Sequence, residues 1–82
     1  MAAVDIDSAV MDQVWRDFPR DQQHDAAAAL ATYGTEPNER EVVRVQLAIL
    51  HLARGDMERL LHFVEVARRD YRDVLWWSVQ KT

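Results

Sequence analysis

Apolar residues recur at helical spacing along most of the chain, and the longest uninterrupted pattern runs from Gly55 to Val79. At roughly 100° of rotation per residue, one face of this segment is largely apolar and the opposite face is charged. Asp56 is a favourable N-cap, and no glycine or proline follows Gly55. The pattern predicts one long C-terminal helix, against which the rest of the chain packs. Its inward stripe is Leu60, Val64, Ala67, Tyr71, Val74, Leu75 and Ser78.

Two shorter amphipathic helices are predicted in the N-terminal part of the chain. The first covers about Ser8 to Phe18, with Asp7 as its cap, and Pro19 ends it because the residue before a proline avoids the helical region. The second covers about Gln22 to Tyr33, with Asp21 as its cap. Its run of alanines favours a helix and lets a neighbouring helix approach closely.

A third helix is predicted from about Pro37 to Ala53, with the proline in its first turn. It is apolar on two sides, which indicates a central position, and it meets the long helix through a short turn at Gly55. The β-branched residues do not alternate as they would in strands. The predicted fold is therefore all-α: one domain over residues 1–82, a compact four-helix bundle-like arrangement with a long C-terminal helix.

Composition narrows the classes of protein to which the chain can belong. The 82 residues are 49% hydrophobic, which is enough for a packed core, and the absence of cysteine excludes disulfides and thiolate chemistry. The net charge of −4 argues against a general nucleic-acid binder. The N-terminus lacks a basic start and an apolar run, and no stretch approaches the roughly 20 apolar residues of a membrane span. The sequence predicts a soluble, cytoplasmic protein.

The chemistry-bearing side chains form no recognisable catalytic or metal-binding pattern. His24, His51 and His62 lack the three- or four-residue spacing that places two ligands on one helix face, so no metal site is predicted. Neither a Ser–His–Asp arrangement nor a glycine-rich phosphate loop is suggested. We therefore expect no enzymatic activity and no cofactor.

Trp76 and Trp77 interrupt the pattern of the last helix, because adjacent helical residues point about 100° apart. Trp77 borders the apolar stripe and is predicted to fill core volume. Trp76 falls on the opposite side, where either helix 1 or the C-terminal tail covers it, or it is exposed as an aromatic anchor. Our hypothesis is that Trp76 is at least partly exposed at the centre of a contact surface rimmed by Arg69, Arg72 and Asp73. Arg72, four residues earlier, either belongs to a surface salt-bridge network of the Asp70–Asp73 segment, which is the favoured interpretation, or covers the Trp76 ring by a cation–π contact.

The leading functional prediction is a protein–protein interaction module that binds an unidentified protein partner or a second copy of itself. Neither specific nucleic-acid binding nor membrane binding is expected. The alternative is a nucleic-acid-binding regulator, because helix 3, the short turn and the last helix have the order of a helix-turn-helix motif. Its positive patch consists of Arg54, Arg59, Arg68, Arg69 and Arg72.

Two stretches, YGTEPNEREVVRVQLAILHLARGD and VEVARRDYRDVLWW, resemble a group of short, uncharacterised bacterial proteins. In that group a helix of the VQLAIL type meets a Gly-Asp turn, and the chain ends in a DYRDVLxW-like segment. The resemblance covers residues 33–77, and it implies a bacterial source and a small helical fold. It implies no activity, ligand or catalytic residue. This chain departs from the pattern at Trp76, where a smaller residue is expected.

Overall fold

The computed structural model describes residues 6–35 and 39–79, and all regular secondary structure in these two ranges is helical. The all-α prediction is confirmed, but the segment predicted as one C-terminal helix forms two helices. The five helices in the described ranges are α1 (Ser8–Asp17), α2 (Arg20–Ala31), α3 (Val42–Ala53), α4 (Met57–Arg69) and α5 (Tyr71–Val79).

Helix α3 is the centre of the fold, as its apolar residues on two sides predict. It packs against α1, α4 and α5, while α2 packs against α1 and α4. The buried core contains mostly aliphatic residues, so its packing is set by shape rather than by polar contacts. Its largest fully buried side chains are Tyr33, Leu30, Ile49, Leu50, Leu60, Val10, Val14, Val45 and Val74.

The first helix forms where the sequence predicts it. The Asp7 carboxylate accepts a hydrogen bond of 2.9 Å from the Ala9 backbone N–H, which confirms Asp7 as the N-cap. Phe18, before the proline, has extended backbone and ends the helix, and its side chain is buried. Ile6 and Met11 both pack against the core at the two positions of a hydrophobic staple.

The second helix corrects the prediction that Asp21 is a cap. It begins at Arg20, directly after Pro19, and no side chain caps its first turn. The fixed φ of proline places the chain for helix entry. Asp21 therefore lies inside the first turn, where a carboxylate favours the positive end of the helix dipole without capping it. Gly34, in the turn after α2, has a positive φ of +108°, which glycine adopts readily.

The third helix begins at Val42, later than the predicted start at Pro37, which itself lies outside the described residues. Two local features explain the later start. Glu41 adopts a left-handed conformation with a φ of 51°, which interrupts any helix entering from before it. The Glu39 carboxylate accepts hydrogen bonds from the backbone N–H groups of Gly34 and Thr35, so this residue is part of the preceding turn.

The turn between α3 and α4 confirms the prediction made from Gly55 and Asp56. The Asp56 carboxylate accepts from the N–H groups of Glu58 at 2.9 Å and Arg59 at 3.2 Å. Gly55 has a φ of +77°, and a Cβ atom there would lie 2.7 Å from the backbone oxygen of Asp17. Conformation and close approach to α1 thus both require glycine.

The predicted continuous helix ends at Asp70, which has extended backbone with a φ of −157°. The Asp70 N–H still donates to the Val66 carbonyl and completes α4. Its carboxylate then accepts from the Arg72 N–H at 3.1 Å and acts as the N-cap of a new helix. The capping chemistry found at Asp56 therefore also divides residues 57–79 into two helices. The sequence prediction missed this division because no glycine or proline marks the site.

Candidate interaction surface

Among the described residues, helix α5 is covered on one side only. It packs against α3 and α4; Val74 is fully buried, and Tyr71 and Leu75 are partly buried against the core. The opposite side leaves large apolar side chains in water, with Trp76 63% and Val79 61% exposed. Because these residues are three apart, they lie on the same side of the helix. The exposed position of Trp76 agrees with the hypothesis that neither α1 nor another described segment covers it.

A groove of about 280 Å³ lies beside these side chains, between α5 and the first turn of α3. Leu75, Trp76 and Val79 supply its apolar part, and Arg44 and Arg72 supply two cationic edges. Exposed tryptophan with arginine is the composition in which interface hot spots are enriched. We call these five residues the α5 groove.

Both arginines of the α5 groove are oriented by carboxylates on their own helix ends. Arg72 donates Nε to Asp70 Oδ1 at 3.0 Å and a terminal nitrogen to Oδ2 at 3.1 Å. These side-chain hydrogen bonds, with a further one from the Arg72 N–H, lower the pKa of Asp70, and the Asp70 carboxylate raises the pKa of Arg72. Arg44 contacts Glu41 at 2.9 Å. Both guanidinium groups remain exposed and retain free donors.

The structure shows the surface salt bridge favoured for Arg72 and not the alternative contact with the Trp76 ring. The guanidinium of Arg72 is held by Asp70, and the arginine placed over an aromatic ring in the described ranges is Arg59, 5.7 Å from the centre of the Phe63 ring. A bidentate pair between a guanidinium and a carboxylate is stronger than a cation–π contact at an exposed site. The geometry of Asp70 therefore decided where Arg72 lies.

The remaining predicted site residues divide between two places. Arg69 lies at the end of α4 and lines a second cleft at the α4–α5 junction, which shares Arg72 with the α5 groove. Asp73 is exposed in the first turn of α5 and lines neither cleft. The extended backbone of Asp70 changes the direction of the chain between α4 and α5, and Arg69 does not line the groove that contains Trp76. Of the predicted set, the structure brings Trp76 and Arg72 together in one groove.

The prediction that Trp77 lies in the core is wrong, because Trp77 is 41% exposed. Its ring meets the edge of Phe63 at a centroid distance of 6.0 Å and an interplanar angle of 71°. This is a favourable geometry for two aromatic rings. Trp77 therefore covers the side of the core rather than filling it.

Sequence reasoning also missed three residues of the α5 groove. Val79 carries a recognisable signal, since it follows Trp76 by three positions and shares its side of the helix. Leu75 was assigned to the inward stripe, and it forms the groove floor while remaining only partly covered. Arg44 comes from a helix distant in sequence, so only tertiary structure places it at the groove.

A buried polar cluster ties the turn after α2 to α3 and α4. The Gln46 amide, on the otherwise apolar α3, donates to the carbonyl oxygens of Leu30 at 3.0 Å and Tyr33 at 3.4 Å. The buried Glu39 carboxylate lies 3.8 Å from the guanidinium of Arg68. Within the described ranges, every buried side-chain nitrogen and oxygen atom has a partner. These contacts account for the polar residues structurally, because buried polar groups require hydrogen bonds.

Tyr33 is the titratable centre of this cluster. Its hydroxyl donates to the Arg40 carbonyl at 2.7 Å, and its side chain is 1% exposed. Burial, followed by the nearby Glu39 carboxylate, raises the pKa of Tyr33 to about 12. The phenol is thus kept neutral as a hydrogen-bond donor and has a structural role.

Residues 6–35 and 39–79 contain no group of three or more His, Cys, Asp or Glu side chains arranged to hold a metal ion. None of the helices formed in these ranges combines the length and apolar character required to cross a membrane. Comparison of the chain with protein-family models, with curated proteins and with solved structures gives no match. The surface must therefore be interpreted from its own geometry.

Proposed function

We propose that the chain is a protein–protein interaction module that binds a partner through the α5 groove. The observation that supports this proposal is the exposure of Trp76 and Val79 side by side on a helix whose other face is fixed to α3. When a partner covers the exposed ring of Trp76, a large apolar area is removed from water. Because the buried face of α5 fixes its backbone, binding of a partner has to order only the side chains of the groove.

The α5 groove favours a partner with an apolar side chain near carboxylate groups. The apolar side chain would pack on the Trp76 ring, and the carboxylates would meet the free donors of Arg44 and Arg72. In this proposal Arg69 and Asp73 lie outside the central contact, at its rim. The module acts in the cytoplasm without enzymatic activity, as the sequence predicts.

A protein partner is proposed in preference to nucleic acid because two of the five arginines of the alternative site are engaged within the chain. Arg59 donates to the Leu52 carbonyl at 3.1 and 2.8 Å, and Arg68 contacts the buried Glu39 carboxylate. Phosphate-backbone binding needs several cationic side chains free to replace counterions. The net charge of −4 opposes it further.

The test compares Trp76→Ala with Trp15→Ala. Trp15 is a matched control, because it is a tryptophan 56% exposed on a different helix, α1. Each purified variant is used as bait in quantitative affinity capture from an extract of the source organism, and the captured protein is then titrated against all three forms. We expect Trp76→Ala to weaken binding by about 30-fold or more, as loss of a hot-spot aromatic does.

We expect the Trp15→Ala variant to bind the captured protein with the affinity of wild type. Equal binding by wild type and Trp76→Ala would show that the partner uses another surface and would refute the proposal. Equal losses for the two tryptophan variants would also refute it, since the effect would then follow from general loss of exposed apolar area.

A further inference from the structure

The bend at Asp70 interrupts a helix whose apolar register continues unchanged through it. Val64 and Ala67 before the bend are buried, and Tyr71 and Val74 after it are partly and fully buried. These positions are separated by three or four residues, as they are along one face of a continuous helix. The sequence is therefore compatible with two backbones, one bent and one straight, because both place the same apolar residues on one helix face.

A single residue holds the bent form. Asp70 is the one non-helical position between α4 and α5, and its carboxylate makes three hydrogen bonds to Arg72. Both of its neighbours, Arg69 and Tyr71, are helical. Conversion of Asp70 to helical backbone would join the two helices into one of 23 residues.

The straight form cannot keep α5 on the α3 helix of its own chain. At 1.5 Å per residue, α3 is about 18 Å long and α4 is about 20 Å long, and they pack together from the turn at Gly55. In the straight form, α4 alone already reaches the far end of α3. The joined α5 would then project about 13 Å beyond the end of α3. Val74 would then be exposed, and the site that it occupies in the core would be empty.

We propose that Asp70 is a hinge at which α4 and α5 join into one helix when two copies of this chain exchange α5, each α5 filling the site on α3 of the other copy. The exchanged dimer re-forms the α5 contacts of the monomer, so the two forms differ mainly at the hinge. The partner is thus a second copy, and the surface is the part of α3 that α5 covers. This exchange is independent of the α5 groove.

The test uses two substitutions that remove the same cap and differ in helix propensity. Asp70→Ala and Asp70→Gly both lose the three carboxylate hydrogen bonds, but alanine favours a helical position 70 over glycine by about fivefold. An exchanged dimer contains two hinges. We therefore expect sedimentation equilibrium to give a dimer dissociation constant about 25-fold lower for Asp70→Ala than for Asp70→Gly. Asp70→Gln, a second good helix former without a cap, should follow alanine if the alanine variant folds poorly.

A distance measurement separates exchange from simple side-by-side association. The chain has no cysteine, so cysteines placed at the exposed positions Glu58 and Val79 can carry spin labels specifically. A straight helix separates the two backbone positions by about 32 Å, and any bend at Asp70 shortens this distance. We expect the long distance within each chain of the Asp70→Ala dimer, measured by diluting doubly labelled chains into unlabelled ones before refolding. The same dimer should form when Trp76→Ala is added.

Equal dissociation constants for the alanine and glycine variants would overturn the proposal, because helix propensity at position 70 would then have no effect on association. A dimer of Asp70→Ala that keeps the shorter distance would overturn it as well. Loss of dimer on addition of Trp76→Ala would assign the association to the α5 groove and would equally reject the hinge.

Discussion

The ionisation of Tyr33 gives a direct test of the polar cluster that fastens the turn after α2. The neutral hydroxyl donates to the Arg40 carbonyl at 2.7 Å, and the Glu39 carboxylate is close enough to raise its pKa. Loss of the proton would remove the donor and place a second negative charge beside a buried carboxylate. Alkaline pH should therefore destabilise the fold through this one side chain.

The magnitude follows from the two pKa values of Tyr33. The folded value is about 12 and the unfolded value is about 10, so the folded state holds the proton more tightly. The stability contributed by Tyr33 is complete below about pH 10 and is lost as the pH rises through about 12. Two pH units correspond to about 3 kcal/mol, which is a large part of the roughly 5–15 kcal/mol that stabilises a typical domain.

The assay is urea denaturation of wild type and Tyr33→Phe at several values between about pH 9 and pH 12. At the lower pH, Tyr33→Phe should be less stable by about 1 kcal/mol because it lacks the hydrogen bond to Arg40. Between about pH 9 and pH 12, the free energy of unfolding of wild type should fall by about 2 kcal/mol relative to the variant, so the two curves cross. Tyr71→Phe is the control for the second tyrosine and should keep most of the steep fall, because Tyr71 raises the pKa of Tyr33 less than burial and Glu39 do.

Parallel curves for wild type and Tyr33→Phe would refute the reasoning, since the folded and unfolded pKa values would then be equal. A steep fall that disappears in Tyr71→Phe instead would assign the effect to the wrong tyrosine. Absorbance of the phenolate gives an independent check, because Tyr33 should titrate well above the ordinary range while the protein remains folded.

Two further predictions concern the helix ends and the tryptophans. Asp56→Ala should lower the free energy of unfolding by about 0.5–2 kcal/mol in chemical denaturation. Asp21→Ala is the control and should lower it less, because the Asp21 side chain caps no helix. Equal losses of stability in the two variants would contradict the assignment of Asp56 as a cap. Trp77→Ala should cost about 1–3 kcal/mol, below the roughly 3–5 kcal/mol of a fully buried tryptophan, because its ring covers Phe63 from the surface. Trp76→Ala should change stability by less than about 0.5 kcal/mol, and a larger loss for Trp76 than for Trp77 in the same experiment would reverse their assignment.

Local features of the fold were predictable because neighbouring residues alone produce them. Asp7 and Asp56 cap helices through backbone N–H groups two or three positions away, and Gly34 and Gly55 adopt the positive φ values that other residues avoid. The prediction of which residues between positions 57 and 79 face inward was also correct on both sides of Asp70. Such features depend on helix geometry, which repeats every few residues in any tertiary context.

The exposure of Trp76 was likewise contained in the sequence, because its helical phase opposes the apolar stripe. The place of Arg44 in the α5 groove was not, since it reaches the groove from a helix 32 positions before Trp76, and neither was the position of Arg69 outside the groove, at the α4–α5 junction. No local periodicity encodes either placement.

Tertiary packing decided where the sequence allowed two structures. Residues 57–79 have the composition and apolar register of one helix, and Asp70 can occupy either a helix interior or a cap. The site on α3 that buries Val74 favours the bent form, because a straight helix would leave that side chain in water. In the same way, Gln46 and Glu39 are ordinary polar residues in the sequence, and only the fold brings backbone groups and Arg68 close enough to satisfy them when buried. The sequence by itself determined the helical faces and the caps at Asp7 and Asp56, while the bend, the buried polar cluster and the groove depend on contacts between residues far apart in the chain.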